Sequence, residues 1–124
     1  MQSNITQERV PIHGDAGHWL HISQSPRYVR VFFGGEVIAS SKRAKLVREA
    51  EVLPAYYFPK EDVRTDLLTV SSHQSDCPVK GSASYWSINS GGRSVENAVW
   101  SYVKPLPAAV EILNHFAFDR KRSD

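Results

Sequence analysis

Apolar positions along the chain fall in short runs with a period near two, separated by Gly, Pro, Asn and Ser. That pattern specifies strands joined by turns. His18-Trp19-Leu20-His21-Ile22 is the first run, and Ser25-Pro26 turns the chain after it. Residues 28–33 and 36–40 flank Gly34-Gly35. Two β-rich runs joined by two glycines predict a hairpin with a tight primed turn, in which both turn residues take positive φ. Tyr56-Tyr57-Phe58-Pro59 predicts a buried aromatic strand, and Leu67, Leu68 and Val70 add core after the Lys60-Glu61-Asp62 turn. Residues 84–90 and 93–103 around Gly91-Gly92 predict a second hairpin. Pro107 suits the first turn of a short helix to about Leu113, and residues 115–118 read as a closing strand.

Other segments carry weaker patterns. Residues 1–17 are polar and broken by Pro11, Gly14 and Gly17, so a loose arm is expected, with Val10 and Ile12 available to pin part of it. Residues 41–53 admit two readings. Ala44, Val47 and Ala50 fit a helical stripe with Lys45 and Glu49 at helical pair spacing, and the same residues fit an irregular edge strand. Pro54 is expected to end that segment, residues 71–76 read as a polar loop, and Arg120-Lys121-Arg122 as a frayed basic tail. The expected fold is mainly β: one compact domain over residues 18–119, made of antiparallel hairpin sheets with one or two short helices.

The second hairpin sorts its own faces. With Gly91-Gly92 as the turn, Ser90 faces Arg93, Ile88 faces Val95, Ser87 faces Glu96 and Tyr85 faces Ala98. Alternation then puts Trp86, Ile88, Val95 and Val99 on a core face. Tyr85, Ser87, Asn89, Glu96, Trp100 and Tyr102 fall on the other. Three aromatics with one carboxylate suit a pocket wall. They equally suit a second packed face, covered by the C-terminal helix with Glu96 ion-paired at its margin.

Composition narrows the function classes. A 124-residue chain closes one core without staples, and its net charge of +2 supplies no global field for nucleic acid. A single cysteine excludes an internal disulfide and any multi-cysteine zinc site. No apolar run approaches the roughly 20 residues of a membrane span. The N-terminus lacks the apolar core of a signal peptide. A cytoplasmic protein is expected, with no metal, no cofactor, and no membrane or nucleic-acid partner.

Candidate chemistry centres on Cys77-Pro78-Val79-Lys80-Gly81, a shaped loop feeding an aromatic strand. A thiol attacks as thiolate, and Lys80 or His73 would favour that form while Asp76 opposes it. A structural cysteine is the preferred reading. Lys80 serves either an anionic ligand or backbone carbonyls, and the two stand level. The basic residues Lys42, Arg43, Lys45 and Arg48 alternate with Glu49 and Glu51, which reads as a solvated face more than an anion site. His13, His18 and His21 have no metal-ligand spacing; on a strand His18 and His21 point to opposite faces.

Several blocks together resemble the domain of unknown function 427 family. They are Val29-Arg30-Val31 with Gly34-Gly35-Glu36-Val37-Ile38-Ala39-Ser40, Tyr57-Phe58-Pro59 with Glu61-Asp62-Val63, Cys77 to Gly81 with Ala83 and Tyr85, and Glu96-Asn97-Ala98-Val99-Trp100-Ser101-Tyr102 with Pro105. The Ala117-Phe118 ending is similar too, and the blocks span residues 25–119 in the family's order. The resemblance implies a β-tent domain, an architecture shared with methionine sulfoxide reductase B and the ligand-binding domain of cereblon. Those relatives hold zinc on paired Cys-x-x-Cys motifs that this chain lacks. The family also carries a nucleotidyltransferase label. Nucleotidyl transfer needs two closely spaced metal-binding carboxylates; Glu49-Ala50-Glu51 is the nearest pattern, and the label is set aside. The leading expectation is a small-molecule binding module, its pocket floored by Tyr85, Trp100 and Tyr102 with Glu96, Lys80 and Cys77 as polar contacts. The alternatives are an enzyme using Cys77 or Lys80, and a protein-interaction module built on the cluster around Lys42.

Overall fold

The computed structural model describes residues 11–12 and 15–119. The expectations for residues 1–10, 13–14 and 120–124, including the basic tail, lie outside that range. The described residues form ten strands: β1 (Pro11–Ile12), β2 (Asp15–Gln24), β3 (Val29–Phe33), β4 (Glu36–Ser41), β5 (Lys45–Glu49), β6 (Val52–Pro59), β7 (Leu68–Cys77), β8 (Gly81–Ser90), β9 (Arg93–Pro105) and β10 (His115–Phe118). Among the described residues the helical content is three short 3-10 segments, at Lys60–Asp62, Thr65–Leu67 and Pro107–Ile112. Eight strands form one antiparallel sheet in the order β1-β2-β5-β6-β10-β9-β8-β7, and β3-β4 form a separate hairpin sheet. The mainly β, hairpin-based class expected from the chain is what it adopts.

Both diglycine turns form as expected, with Gly34 and Gly35 at φ 59° and 82° and Gly91 and Gly92 at 59° and 79°. The 107–113 helix appears as 3-10 turns, kinked at Ala109. Four local expectations differ. Asp15 to Gly17, expected in the loose arm, already belong to β2, which pairs with β1. Residues 41–53 form neither a helix nor an edge strand: β5 lies between β2 and β6, with Val47 paired to Ile22 on one side and Ala55 on the other. Pairing along both edges of β5 gives its backbone groups ladder partners on two sides, and that outweighs a weak helical stripe. Pro54 does not end the segment. It falls in β6 beside the irregularity between Val47 and Glu49, where a missing N–H interrupts no regular ladder. Residues 71–76 are part of β7, whose pairing to β8 is interrupted between Val70 and Gln74 and then resumes to Cys77↔Gly81.

β10 is the seam of the molecule. Its first two residues pair with β6 (His115↔Pro59, Phe116↔Phe58) and its last two with β9 (Ala117↔Trp100, Phe118↔Val99). Four residues therefore join two half-sheets, and alternation sends their side chains to two different cores. Phe116 and Phe118 enter one core with Phe33, Ile38, Phe58 and Val99, roofed by the β3-β4 hairpin. Ala117 enters a second core with Tyr57, Tyr102, Ala109 and Ile112, closed by the Pro107–Ile112 segment. The hairpin sheet is tied down at Val63, which bridges Ala39, and through Arg64 N donating to Ile38 O at 2.8 Å.

Candidate functional site

The face expected to line a pocket is the second core. Trp86, Ile88, Val95 and Val99 do line the first core, but the pairing beyond Ser87 is shifted. Ile88 faces Val95 as expected, yet Trp86 faces Val99 and Tyr85 faces Trp100. Residues 96–98 stand opposite Ser87 alone, with Asn97 at φ 55° and its N–H donating to Ser87 Oγ at 3.2 Å. The insertion spans two extra residues, so the faces are preserved while the partners move by two.

Tyr85, Trp100 and Tyr102 therefore share one face, where they meet Tyr57 from β6. Tyr57 lies 6.5 Å from Trp100 edge-on, and Trp100 Nε1 donates to the Tyr57 hydroxyl at 3.0 Å. Tyr85 sits 6.4 Å from Trp100 and shares a hydrogen bond of 3.0 Å with Ser75 Oγ. Ala109 and Ile112, both fully buried, pack against the same group. These rings pack on one another and on the Pro107–Ile112 segment.

Lys80 lies at the edge of this face, in the β7–β8 turn, and is only 7% exposed. Its ammonium is ion-paired with Glu49 of β5 and stands 5.1 Å over the Tyr102 ring. Burial by itself would lower the lysine's pKa, but Tyr57, Glu49 and Tyr102 outweigh burial and hold it above the ordinary value. Burial also pushes the Tyr57 and Tyr102 hydroxyls up. At neutral pH the lysine is charged and both phenols are protonated, so none of the three is a free base or nucleophile. Cys77 closes β7 opposite Gly81 and packs, half-buried, against this core. Glu96 is exposed in the bulged stretch of β9, and the carboxylate that meets Lys80 is Glu49. Five of the six expected site residues thus gather around one core, with Lys80 already partnered and Glu96 on the outer surface.

The Glu49-Ala50-Glu51 pattern does not present two carboxylates to a common ion. Glu49 is held by Lys80, and Glu51 stands in the β5–β6 turn at φ 61°. Among the described residues, no group of three or more His, Cys, Asp or Glu side chains could hold a metal. The basic cluster is also divided. Arg43 is bonded to Asp62 at 3.1 Å, Lys42 stands 5.7 Å over the Tyr28 ring, and Arg48 points elsewhere.

Arg48 belongs to a cleft of about 900 Å³ between β3 and the β5–β6 hairpin. Val29 and Val31 of β3 line one side, and Leu46 of β5 with residues 53–56 of β6 line the other. Phe58 and Phe118, from the first core, contribute to the lining, and residues 23–27 close one end. Among the described residues, Arg27, Arg30 and Arg48 line it together, and no aspartate or glutamate does. Arg30 stacks at 4.8 Å on the Tyr28 ring, whose hydroxyl bonds Ser40 Oγ at 2.7 Å. Hydrogen bonds to Ser40 and Arg30 hold that phenol below its ordinary pKa.

A family model described as domain of unknown function (DUF427) matches residues 21–124. The chain belongs to that family. No curated protein matches it. Within the DUF427 domain, sequence reasoning missed the cleft because its arginines come from a turn, from β3 and from β5, elements that meet only through tertiary packing. The available signal was the alternation of Arg30 with Val29 and Val31, and of Arg48 with Val47. Each arginine taken alone reads as an ordinary strand-edge charge. No described helix is long and apolar enough to cross a membrane.

Proposed function

We propose that this DUF427 domain is a small-molecule binding module whose ligand occupies the cleft between β3 and the β5–β6 hairpin. One observation carries the reading: a concavity of about 900 Å³ with apolar walls and a few polar groups, within the size of small-ligand sites. The aromatic face beside the 77–81 loop supports the fold around it, since its rings pack on one another and Lys80 is held by Glu49. A small molecule suits the site better than nucleic acid, because the chain's net charge is only +2 and the surface is concave. Binding suits it better than catalysis through Lys80, which is ion-paired and charged at neutral pH.

Methyl NMR tests this reading with a panel of small aliphatic and aromatic compounds, neutral and charged. Saturable shifts should appear at Val29, Val31, Leu46 and Leu53, with Ala83 and Ile112 of the second core unmoved. Shifts centred on Ala83 and Ile112 would return the ligand to the aromatic face. An absence of saturable shifts across the panel would overturn binding altogether.

A further inference from the structure

We infer that the cleft selects an amphipathic organic anion: an acidic head group of carboxylate, sulfonate or phosphate type on an aromatic or hydrocarbon body. The inference rests on the cleft reading above and adds the chemistry of its occupant. The chain carries 15 basic and 13 acidic residues, so a lining drawn without bias would mix both signs. Among the described residues the lining instead holds Arg27, Arg30 and Arg48 and no carboxylate.

Two of the three described arginines outside the cleft are neutralised internally, while Arg93 stands 4.8 Å over the Phe33 ring. Arg43 is bonded to Asp62 at 3.1 Å, and Arg64 to Asp66 at 2.8 Å and Glu36 at 3.3 Å. Among the described residues, none of the three cleft arginines has a carboxylate partner. Their backbones are placed by the fold: Arg27 N–H donates to Ser25 Oγ at 3.1 Å and Arg48 sits in β5 opposite His21, while the Arg30 guanidinium is stacked on Tyr28. A guanidinium is a planar fork suited to bidentate contact with an oxyanion.

The walls determine the rest of the ligand. Val29, Val31, Leu46 and Leu53 present hydrocarbon, and Leu53 is 75% exposed. Covering that surface favours an apolar body. A purely inorganic anion would leave it wet, and so would a chain of sugar phosphates.

The test uses 1-anilinonaphthalene-8-sulfonate and N-phenyl-1-naphthylamine, its uncharged parent with the same rings. Both fluoresce when shielded from water, so each can be titrated into the full chain. The sulfonate should bind at one site per chain about tenfold more tightly than the parent, which corresponds to ~1.4 kcal/mol. Changing all three arginines to glutamine should remove that preference while leaving the parent's affinity within about twofold. Leu53→Glu, at an exposed position, should weaken the sulfonate more than the parent by adding a like charge. Circular dichroism checks that each variant is folded.

Saturable binding of neither probe would overturn the cleft reading and this inference together. Equal binding of both would leave the cleft reading intact and overturn the anion preference. A sulfonate preference that survives the triple arginine substitution would also overturn it, by placing the positive charge elsewhere.

Discussion

Lys80, in the turn between β7 and β8, and Glu49, at the end of β5, form an ion pair between side chains only 9% and 13% exposed. The two residues belong to different half-sheets, whose ladders are joined by the four residues of β10 and whose side chains also meet at Tyr57 and Trp100. The pair clamps those halves beside the second core. Removing one partner strands the other charge in a site closed to water, and a stranded charge costs more than the pair contributes. Lys80→Met should therefore lose about 3 kcal/mol in urea unfolding. Lys80→Met combined with Glu49→Leu should recover most of that loss. A single-variant loss below about 0.5 kcal/mol, typical of surface pairs, would show that the clamp is not structural.

The same residues show how far the sequence can be read. Alternation alone assigned Trp86, Ile88, Val95 and Val99 to a core face, and the two diglycine turns located both hairpins, though not the second one's pairing beyond Ser87. Those are local signals, each complete within a single hairpin. Lys80's partner lies 31 positions away, and nothing in the spacing of Glu49 distinguishes it from Glu51 or Glu96. The aromatic face was legible as an unusual face, and cover by the C-terminal helix was one of its two readings, but Tyr57 was not, because it arrives from β6, 43 positions from Trp100. The cleft was the least legible feature. It exists only where β3 comes against the β5–β6 hairpin, and no run of residues encodes that meeting.

Alkaline pH should unfold the domain through the second core. Tyr57 and Tyr102 are raised above the ordinary 10.0 by burial, and Lys80 is raised above 10.5 by its partners against the opposing effect of burial. In all three the folded state holds its proton more tightly than the unfolded chain. Their contribution is complete below about pH 10 and is lost as pH rises toward the raised folded values. Stability measured from pH 8 to 11.5 should be flat and then fall. Tyr102→Phe removes one titrating group and should make the fall shallower by about 1.4 kcal/mol per pH unit. An unchanged slope in that variant would assign the alkaline transition to other groups.

Gly81 has a backbone reason to be glycine. Its φ is 111°, and a Cβ placed there would come within 2.4 Å of Lys104 O. The close approach is part of the Gly81↔Pro105 pairing, beside which Leu106 N donates to Lys80 O at 3.0 Å. Gly81→Ala should cost about 2–3 kcal/mol, from a disfavoured φ and a backbone clash together. It should also disturb the Lys80–Glu49 pair. Thermal unfolding is the measurement, with Gly35→Ala as a comparison, since a Cβ at Gly35 meets nothing within 4 Å and only its φ of 82° opposes the change. Equal losses at the two glycines would remove the clash from the account.

The bulge at Asn97 keeps both faces of β9 aligned, and its residue can be tested directly. Asn97 sits at φ 55°, a left-handed conformation that asparagine and glycine tolerate and β-branched residues do not. Its N–H donates to Ser87 Oγ, while its side-chain Oδ1 is buried without a hydrogen-bond partner. The backbone conformation is therefore what the site requires, and the side-chain oxygen is a cost. Asn97→Gly should leave stability within about 0.5 kcal/mol of wild type or raise it, because removing an unsatisfied buried acceptor offsets the added chain entropy. Asn97→Val should lose about 2 kcal/mol, since a β-branched side chain cannot hold that φ without strain. The loss should be accompanied by altered tryptophan fluorescence, because slippage of the bulge would displace Trp86 from Val99 and Trp100 from Tyr85. Equal stability of the glycine and valine variants would mean that the ladder, and not residue 97, sets the register.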